Sequence, residues 1–503
     1  MTKRQTDPGK EDEPTISNSV DNAIKHQREE VDDFADRFDP KSRHGAWWQP
    51  GLIELVFKDP TQSGVRGWNF KTEKERFEFS EEWPDAVRNL LLAQGLKSWK
   101  PSFPLRYSWT KKSDDDAFDD YARAGHDRFV TLSFRKDAET PQFADELREL
   151  PEIEQAVAVP KIGPPSGPLD EPLMGVDDHP QSTICDAGGC LESQWYIFRC
   201  KVNQAWLKTN ESGEGLSGRG VVIADVDWGF NPSHRDLIAQ IRKTQNVFPE
   251  SNSANETIVT NGSRCHHGTA ALGLAGAQLN GFGIVGVAFG ATLWAIQSGT
   301  DTREDHSLWV AGIRFVRDQQ SESRKVIILE IQTKRRRNIE MIPTIADEIK
   351  HAISENIVVC VPAGNAGRDA KFDDNDTEIL QTGSILVGAT RFDATRKDFR
   401  GFSNYGDRVT VYAPGDLDSD LTCGPSDHAY RNGFGGTSSA VAKVAGVVAL
   451  MLETNPALTH ERVRDILGRS QIPVFDDSST QIGVLLDAEQ AVCEASQLAG
   501  RPC

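Results

Sequence analysis

The stretch GVVIADVD, residues 220–227, is a short apolar run that ends in a carboxylate. Similar runs follow at GATLWAIQ (290–297), KVIILEIQ (325–332), NIVVCVPAG (356–364) and GSILVGAT (383–390), with helical patterns between them. Continuous apolar runs of this length are typical of strands buried on both faces, as in a parallel sheet covered by helices. The second half of the chain is therefore predicted to be an α/β domain built on a mostly parallel sheet.

Polar residues near these runs are the candidate functional residues, because open sheets of this class bind ligands outside the carboxyl ends of their strands. Asp227 ends the first run, and Asn365 follows the fourth. His267 and Ser438 each stand at the start of a helix rich in small residues. Taken singly, each residue is explained as well by a cap, a turn or close packing. Those explanations do not account for the occurrence of all four in one α/β region.

Four short motifs in this order resemble those of the subtilisin-like serine proteases, the subtilase family. They are Asp227-Trp228-Gly229 with His234-Arg235-Asp236-Leu237, then His267-Gly268-Thr269, Ala363-Gly364-Asn365 and Gly436-Thr437-Ser438-Ser439-Ala440. The resemblance covers about residues 194–467. It implies a subtilisin-like three-layer fold and a serine endopeptidase that acts on polypeptides and requires no cofactor.

The residue types suit that chemistry. A serine hydroxyl becomes a strong nucleophile only when a neighbouring imidazole accepts its proton, so the resemblance makes Ser438 the nucleophile and His267 the general base. Asp227 would hold the imidazole in one tautomer and balance its positive charge. The side-chain amide of Asn365 and the backbone N–H of Ser438 would donate to the oxyanion, the latter reinforced by the helix that starts there.

Two sites near the triad depart from the family pattern. Trp228 replaces the usual serine or threonine beside the aspartate, and its indole is expected to change how solvent reaches Asp227 and His267. Ser439 and Lys443 stand where the family has residues that pack behind the nucleophile. These changes leave the predicted catalytic groups in place.

The segment expected to pair with the substrate backbone is also altered. Where the family has Ser-Leu-Gly, this chain has Glu330-Ile331-Gln332, followed by the basic run TKRRR. Because substrates of this family bind by strand addition, the backbone can still serve, with Gly364 as a further contact. One hypothesis is that Glu330 biases the first pocket toward basic or polar side chains. The other is that Glu330 pairs with one of the arginines at positions 335–337.

Calcium is a further expectation that follows from the resemblance. Asp236 and Asn280, the latter in the loop QLNGFG, occupy positions where some relatives bind calcium, and oxygen ligands are the type that calcium prefers. Many relatives keep similar loops without a metal, so calcium binding is a hypothesis and not a requirement.

The first part of the chain divides into three segments. Residues 1–45 are charged and poor in β-branched and aromatic residues, which predicts a disordered tail. Residues 46–160 alternate strand and helix patterns, which predicts a small ferredoxin-like α+β domain. Residues 161–192 are rich in proline, glycine and acidic residues, which predicts an exposed linker before a catalytic domain at 193–503.

In order and position, residues 46–160 resemble the prodomain of the family. This resemblance implies a zymogen in which the N-terminal domain inhibits its own enzyme until the linker is cut. The alternative is a permanent domain that recruits a protein partner or a substrate.

Composition limits the partners and the location. The formal net charge of −19 argues against nucleic-acid binding. No run approaches about 18 consecutive apolar residues, so no membrane span is predicted. Without a signal-type leader the cytoplasm is the expected location, and leaderless export is the alternative.

The chain has eight cysteines, and most of them are expected to be free thiols, such as Cys360 inside an apolar run. Cys185 and Cys190 stand five apart in a predicted loop, which leaves a metal pair or a disulfide open for these two.

Two other classes of function remain open. A catalytically silent subtilase fold would act as a scaffold, and the intact Asp227, His267, Asn365 and Ser438 argue against it. A narrow-specificity processing enzyme or transpeptidase would use the same residues, and the altered segment 330–332 is compatible with that role.

Overall fold

The structure is a computed structural model in which the described residues begin at position 48 and continue, with gaps, to position 503. They are 48–65, 82–102, 126–135, 140–163, 176–177, 194–248, 265–280, 283–300, 304–321, 323–373, 377–390, 401–415, 418–421, 427, 429–476 and 479–503. The predicted tail, the pair Cys185 and Cys190, and most of the predicted linker lie outside these residues.

Residues 48–160 contain the predicted α+β domain. Its strands are β1 (Trp48–Phe57), β2 (Ser98–Pro101), β3 (Phe129–Ser133) and β4 (Ile153–Pro160), which pair antiparallel in the order β2-β3-β1-β4. Helix α1 (Asp85–Ala93) follows β1 along the chain, and α2 (Thr140–Arg148) follows β3. This connectivity is ferredoxin-like, as predicted. Strand β2 was not predicted, because the four residues SWKP are too few to show a period.

A parallel sheet forms the centre of the second part, and seven strands of it lie among the described residues. From edge to edge they are β14 (Val411–Pro414), β13 (Ile385–Thr390), β12 (Val358–Pro362), β10 (Arg324–Leu329), β7 (Val221–Asp227), β9 (Thr292–Gln297) and β8 (Ile241–Asn246). Every adjacent pair is parallel. All five apolar runs predicted as strands are in this sheet. Strands β7, β12 and β13 are buried along their whole length, as expected when both faces are covered.

The helices of this part pack around the sheet and against one another. They are α3 (Tyr196–Arg199), α4 (Val202–Trp206), α5 (Cys265–Gly276), α6 (His306–Asp318), α7 (Pro343–Ser354), α8 (Gly436–Thr454), α9 (His460–Leu467) and α10 (Ala488–Leu498). Helix α8 contacts β7, β10, β12, β13 and β14 and is buried at all 19 of its residues. By length and composition alone it could cross a membrane, but complete burial inside the protein is typical of a core helix.

Several short strands lie outside the two main sheets. They are β5 (Ile162–Gly163), paired with β11 (Gln332–Thr333); β6 (Val176–Asp177), paired with β16 (Ala429–Phe434), which also pairs with β15 (Asp418–Leu421); and β17 (Pro473–Phe475), paired with β18 (Gln481–Val484). Strand β5 lies at the start of the predicted linker. The expectation of an exposed linker is wrong there, because Ile162 is buried and its strand pairs with β11.

The structure also corrects the prediction about cysteines. Cys493 and Cys503 form a disulfide, and Cys265 is disulfide-bonded as well. The chain turns back after α10, where Ser496 Oγ donates to the carbonyl oxygen of Pro502, and this turn brings Cys503 beside Cys493. Cys360 is a free thiol as predicted, and burial raises its pKa, which makes it unreactive. For the described cysteines, the expectation of mostly free thiols is therefore wrong.

Candidate active site

Asp227, His267 and Ser438 form one hydrogen-bonded chain. His267 Nδ1 lies 2.7 Å from Asp227 Oδ2 and 3.0 Å from Asp227 Oδ1. His267 Nε2 lies 3.1 Å from Ser438 Oγ. All three side chains are buried. When the carboxylate accepts from Nδ1–H, the Nε2 lone pair of His267 faces the serine hydroxyl, ready to accept its proton.

The fold places each of the three residues at an end of its element. Asp227 is the last residue of β7, and the Trp228 N–H also donates to its carboxylate. His267 and Ser438 are the third residues of α5 and α8, two helices that pack together. Helix α8 begins at Gly436, whose φ of 76° lies in the left-handed region that favours glycine. The three side chains therefore meet beyond the carboxyl end of a central strand, where open sheets place their sites.

Asn365 contacts Thr437, the residue before Ser438, and has a fixed orientation. Its side-chain Oδ1 accepts from Thr437 N and from Thr437 Oγ1, each at 3.1 Å. Its backbone N–H donates to Gln332 Oε1 at 3.1 Å. Because Oδ1 faces Thr437, the NH₂ group of the amide is directed the other way, as a donor must be to reach an oxyanion at Ser438.

A second asparagine, which the sequence analysis did not single out, supports the loop that carries Asn365. Asn404 Nδ2 donates to Ala363 O at 2.7 Å, and its Oδ1 accepts from Ala366 N at 3.0 Å. Gly364 has φ 93°, and a side chain there would meet Arg336 O at 2.5 Å, so the turn itself requires this glycine. The segment FSNYG carried the signal, since asparagine side chains often satisfy backbone groups in turns.

Comparison with known proteins shows the family of this chain. Residues 218–487, more than half of the chain, match the subtilase family. The chain belongs to the subtilase family. Subtilisin E of Bacillus subtilis (strain 168) is 29% identical over 255 residues, which cover 50% of this subtilase and 61% of subtilisin E. Subtilisin-like protease 2 of Trichophyton rubrum is 28% identical over 278 residues, which cover 54% and 60% of the two chains.

This subtilase therefore spans about 60% of the length of those relatives. Among solved structures, it is similar to fervidolysin from Fervidobacterium pennivorans, a keratinolytic enzyme related to subtilisin. The two are 18% identical with a TM-score of 0.54, and the match covers 89% of this subtilase and 61% of fervidolysin. At that identity the likeness concerns the fold, and it confirms the subtilisin-like architecture expected from the sequence.

Two further carboxyl groups of this subtilase lie near Asp227. Asp225 is two residues before Asp227 on the same face of β7, and Glu330 directly follows β10, the neighbouring strand. Both are fully buried, and none of their four oxygens has a hydrogen-bond partner among the described residues. Burial and the nearby charge of Asp227 raise the pKa of both groups well above the ordinary range, although the Ser438 hydroxyl opposes the rise at Glu330. Desolvation disfavours the charged form of a carboxyl group, and burial is the largest cause of both shifts.

The position of Glu330 bears on both hypotheses about it. Pairing with an arginine at 335–337 is wrong for the part of the chain that the structure describes, because the carboxyl group points toward Ser438 and stays unpaired. A role in substrate selectivity stays a prediction. Ile331 and Gln332 are buried beside it, and Gln332 is in addition the acceptor for Asn365. Asp225 was missed, although an acidic residue inside the apolar run GVVIADVD was a visible signal.

The residues that depart from the family pattern pack behind the site. Trp228 is buried against Trp309 of α6, with ring centroids 4.5 Å apart. Lys443 Nζ donates to Ser439 Oγ at 2.6 Å and to Pro414 O at 2.7 Å. The buried side chain of Lys443 thereby connects α8 to the end of β14. Ser439 and Lys443, both departures from the family pattern, contact each other.

Asp236 and Asn280 come together, and calcium binding there stays a prediction. Asp236 Oδ1 accepts from Asn280 Nδ2 at 3.1 Å, and Oδ2 accepts from Tyr430 Oη at 3.0 Å and Ile284 N at 3.2 Å. Arg235 Nε donates to the same tyrosine oxygen at 2.9 Å. Calcium needs about six to eight oxygen ligands, and the partners of this carboxylate among the described residues are hydrogen-bond donors that an ion would have to displace. Burial raises the pKa of Asp236 to about 6.

Proposed function

We propose that this subtilase is a serine endopeptidase in which Asp227, His267 and Ser438 act as the catalytic triad. The observation that carries the proposal is the continuous hydrogen-bonded chain from the Asp227 carboxylate through the His267 ring to the Ser438 hydroxyl. This order of acid, imidazole and hydroxyl is what nucleophilic attack on a peptide carbonyl requires. Membership of the subtilase family supports the same reaction.

In the proposed reaction, His267 Nε2 accepts the hydroxyl proton while Ser438 Oγ attacks the carbonyl carbon of the substrate. Asp227 stabilises the imidazolium ion that forms. The Asn365 amide and the Ser438 N–H, at the amino end of α8, donate to the oxyanion. His267 then gives its proton to the leaving amine, and a water molecule repeats the sequence to release the acid product.

We also propose that the N-terminal domain inhibits this site until it is cut away. Strand β5 follows that domain along the chain and pairs antiparallel with β11. In this pairing Gly163 lies opposite Gln332, two residues after Glu330. Strand addition at this segment is the binding mode expected of a substrate. Strand β5 thus occupies a position that a substrate would need, and Ser438 is buried in the same structure.

Contacts between the domain and two helices support the proposal. Glu54 Oε2 of β1 accepts from Thr344 N and Thr344 Oγ1, each at 3.1 Å, in the first turn of α7. Its Oε1 lies 3.9 Å from His306 Nε2, at the start of α6. Within the described structure α7 lacks a side-chain cap from its own sequence, so a carboxylate of the N-terminal domain caps it.

Labelling with a fluorophosphonate probe tests both proposals. The full chain is prepared as wild type, Ser438→Ala and Ser439→Ala, and probe incorporation and mass are measured. The wild type should label and yield a lighter form that begins after Gly163, within the predicted linker 161–192. Ser438→Ala should do neither. Ser439→Ala is the matched control and should label, because the Ser439 hydroxyl bonds to Lys443 and does not contact His267.

Other outcomes point to the alternatives. A wild type that never labels would favour a scaffold and contradict the proposed chemistry. A wild type that labels but keeps its full mass would contradict the inhibitory role and favour a permanent domain that recruits a partner. A labelled enzyme that cleaves no member of a broad peptide library would favour narrow specificity, and cleavage only after large apolar residues would exclude selectivity through Glu330.

A further inference from the structure

A second cluster of polar side chains lies where the N-terminal domain meets α7. His126, three residues before β3, has its Nε2 3.3 Å from Asp347 Oδ2 and 3.3 Å from His351 Nδ1. Asp347 Oδ2 and His351 Nδ1 are 3.6 Å apart. Asp347 and His351 are four residues apart on α7 and therefore share one face of the helix.

These distances match one face of a tetrahedral metal site. Ligand atoms bound to zinc at about 2.0–2.1 Å lie about 3.3–3.4 Å from one another in a tetrahedron. Two imidazoles and one carboxylate are donor types that zinc binds, and three protein ligands leave a fourth position for water. The sequence did not predict this cluster, because a single histidine in one domain has no fixed spacing to the D-x-x-x-H pair in another.

The burial of the groups also suits a cation. His126 is buried where the N-terminal domain meets α7. Asp347 Oδ2 is shielded from solvent and has no hydrogen-bond donor within the described ranges. A buried acceptor without a donor, directed at two imidazole rings, is an uncompensated cost that a bound cation would remove.

The neighbouring charged groups already pair with one another, so His126, Asp347 and His351 are the groups that can act as ligands. Glu348 Oε2 lies 3.9 Å from His126 Nε2, but Glu348 is held by Arg314 at 3.0 Å and by Arg317. Arg314 Nη2 also lies 3.4 Å from His126 Nδ1. Ligation through Nε2 requires the ring proton on Nδ1, so metal binding would break this long contact and leave Arg314 paired with Glu348.

We propose that His126, Asp347 and His351 bind a zinc-type divalent ion that fastens the N-terminal domain to α7. One ligand comes from the N-terminal domain and two from the peptidase part, so the ion is a cross-link between them. The proposal does not depend on peptidase activity, since it concerns only binding and domain attachment.

The test uses the full-length, tag-free chain with Ser438→Ala, so that self-cleavage cannot separate the domains. After incubation with zinc chloride and dialysis, zinc per chain is measured by atomic emission. We expect about one zinc per chain, a tetrahedral absorption spectrum when cobalt replaces zinc, and a Tm that rises with zinc and falls with a chelator. His351→Gln and Asp347→Asn should each weaken zinc binding by at least about tenfold, since even supporting residues of such sites contribute about 10- to 100-fold.

His306→Gln is the matched control, because His306 lies at the same domain contact, beside Glu54, but outside the cluster. It should keep one zinc per chain even if the domains are held less tightly. Absence of zinc and of any Tm shift in the parent chain would overturn the proposal, and so would equal zinc binding by His351→Gln. Hydrogen bonds alone would then hold His126, Asp347 and His351 together.

Discussion

Asn365 is the residue whose side chain is expected to act only in the transition state. Its Oδ1 is used by Thr437, and its NH₂ group is the proposed donor to the oxyanion. Asn365→Ala should therefore lower kcat by about 100- to 1,000-fold with little change in KM, a range that comes from a relative within the subtilase family. Steady-state kinetics on a peptide substrate measure both constants. Asn210→Ala, in a turn that is distant from Asn365 along the chain, is the control and should leave kcat unchanged. If Asn365→Ala lowered kcat by less than about tenfold, the assignment of Asn365 as a donor to the oxyanion would be wrong.

Glu330 is the residue at which pH should act on stability. Its pKa is raised by burial, so the folded protein holds a proton that the unfolded chain releases above about pH 4.5. The favourable contribution of the protonated group is present at acidic pH and is lost as the pH rises toward the folded pKa, at about 1.4 kcal/mol per unit of pKa difference. Glu330→Gln cannot lose a proton, so its Tm should fall less than that of the parent as the pH rises.

Thermal unfolding in the Ser438→Ala background, measured across the pH range, checks this expectation without self-digestion. Asp225, Asp227 and Ser438 act on the Glu330 carboxyl or lie beside it, and they are unchanged in the comparison apart from the shared Ser438→Ala. Parallel Tm curves for the parent and Glu330→Gln would mean that the carboxyl group is already ionised in the folded state.

For single residues, the sequence was most informative where the residue belongs to a short motif. Asp227, His267, Asn365 and Ser438 were predicted because each stands in a short motif with a role in one reaction. Asn404 and His126 were not, because their partners are distant along the chain and only the fold brings them together. The direction of Glu330 could not be predicted either, since a residue just after a strand can point toward the interior or toward solvent.

Among the elements, α7 depends on another domain for its amino-terminal cap. Glu54→Ala removes the acceptor for Thr344 N and Oγ1 and leaves these donors buried. We expect a loss of about 1–3 kcal/mol in the free energy of unfolding, and a looser N-terminal domain that an added protease removes faster. Thermal unfolding and limited proteolysis of the Ser438→Ala chain measure the two effects.

Glu149→Ala is the control for that experiment, because Glu149 is an exposed glutamate just after α2 in the same domain. It should unfold and be digested like the parent. If Glu54→Ala behaved in the same way as Glu149→Ala, the cap would be replaced by water at no cost and the domain contact would rest on other groups.

Five strands of the central sheet, β7, β9, β10, β12 and β13, were predictable because each is a continuous apolar run. Strand β8 was not, because IRKTQN is mostly polar and only partly buried, and the four residues of β14 are too few to show a pattern. The ferredoxin-like order of the first domain was predictable from alternating strand and helix patterns. Strands β5 and β6 were not, because two residues have no period and their pairing depends on an edge supplied by a distant segment. Proline, glycine and acidic content predicted an exposed linker, which stays a prediction for most of residues 161–192, and it did not predict that Ile162 and Gly163 would pair with β11.

For the whole molecule, the disulfide between Cys493 and Cys503 bears on the compartment. Disulfides persist in oxidising surroundings and are rare where thiols are kept reduced. The location stays a prediction, and of the two alternatives the disulfide favours export over the cytoplasm.

The pairing of β5 with β11 also has a consequence for how activity should depend on concentration. While the chain is intact, Ile162 and Gly163 are tethered to the enzyme, and a short tether keeps a segment near its site at an effective concentration of about millimolar. After a cut in the linker, the same segment belongs to a separate molecule. Freshly cleaved enzyme should then gain specific activity on dilution, and addition of the isolated N-terminal fragment should reverse the gain. Specific activity that stays constant over a hundredfold dilution would mean that the cut alone, without dissociation, opens the site.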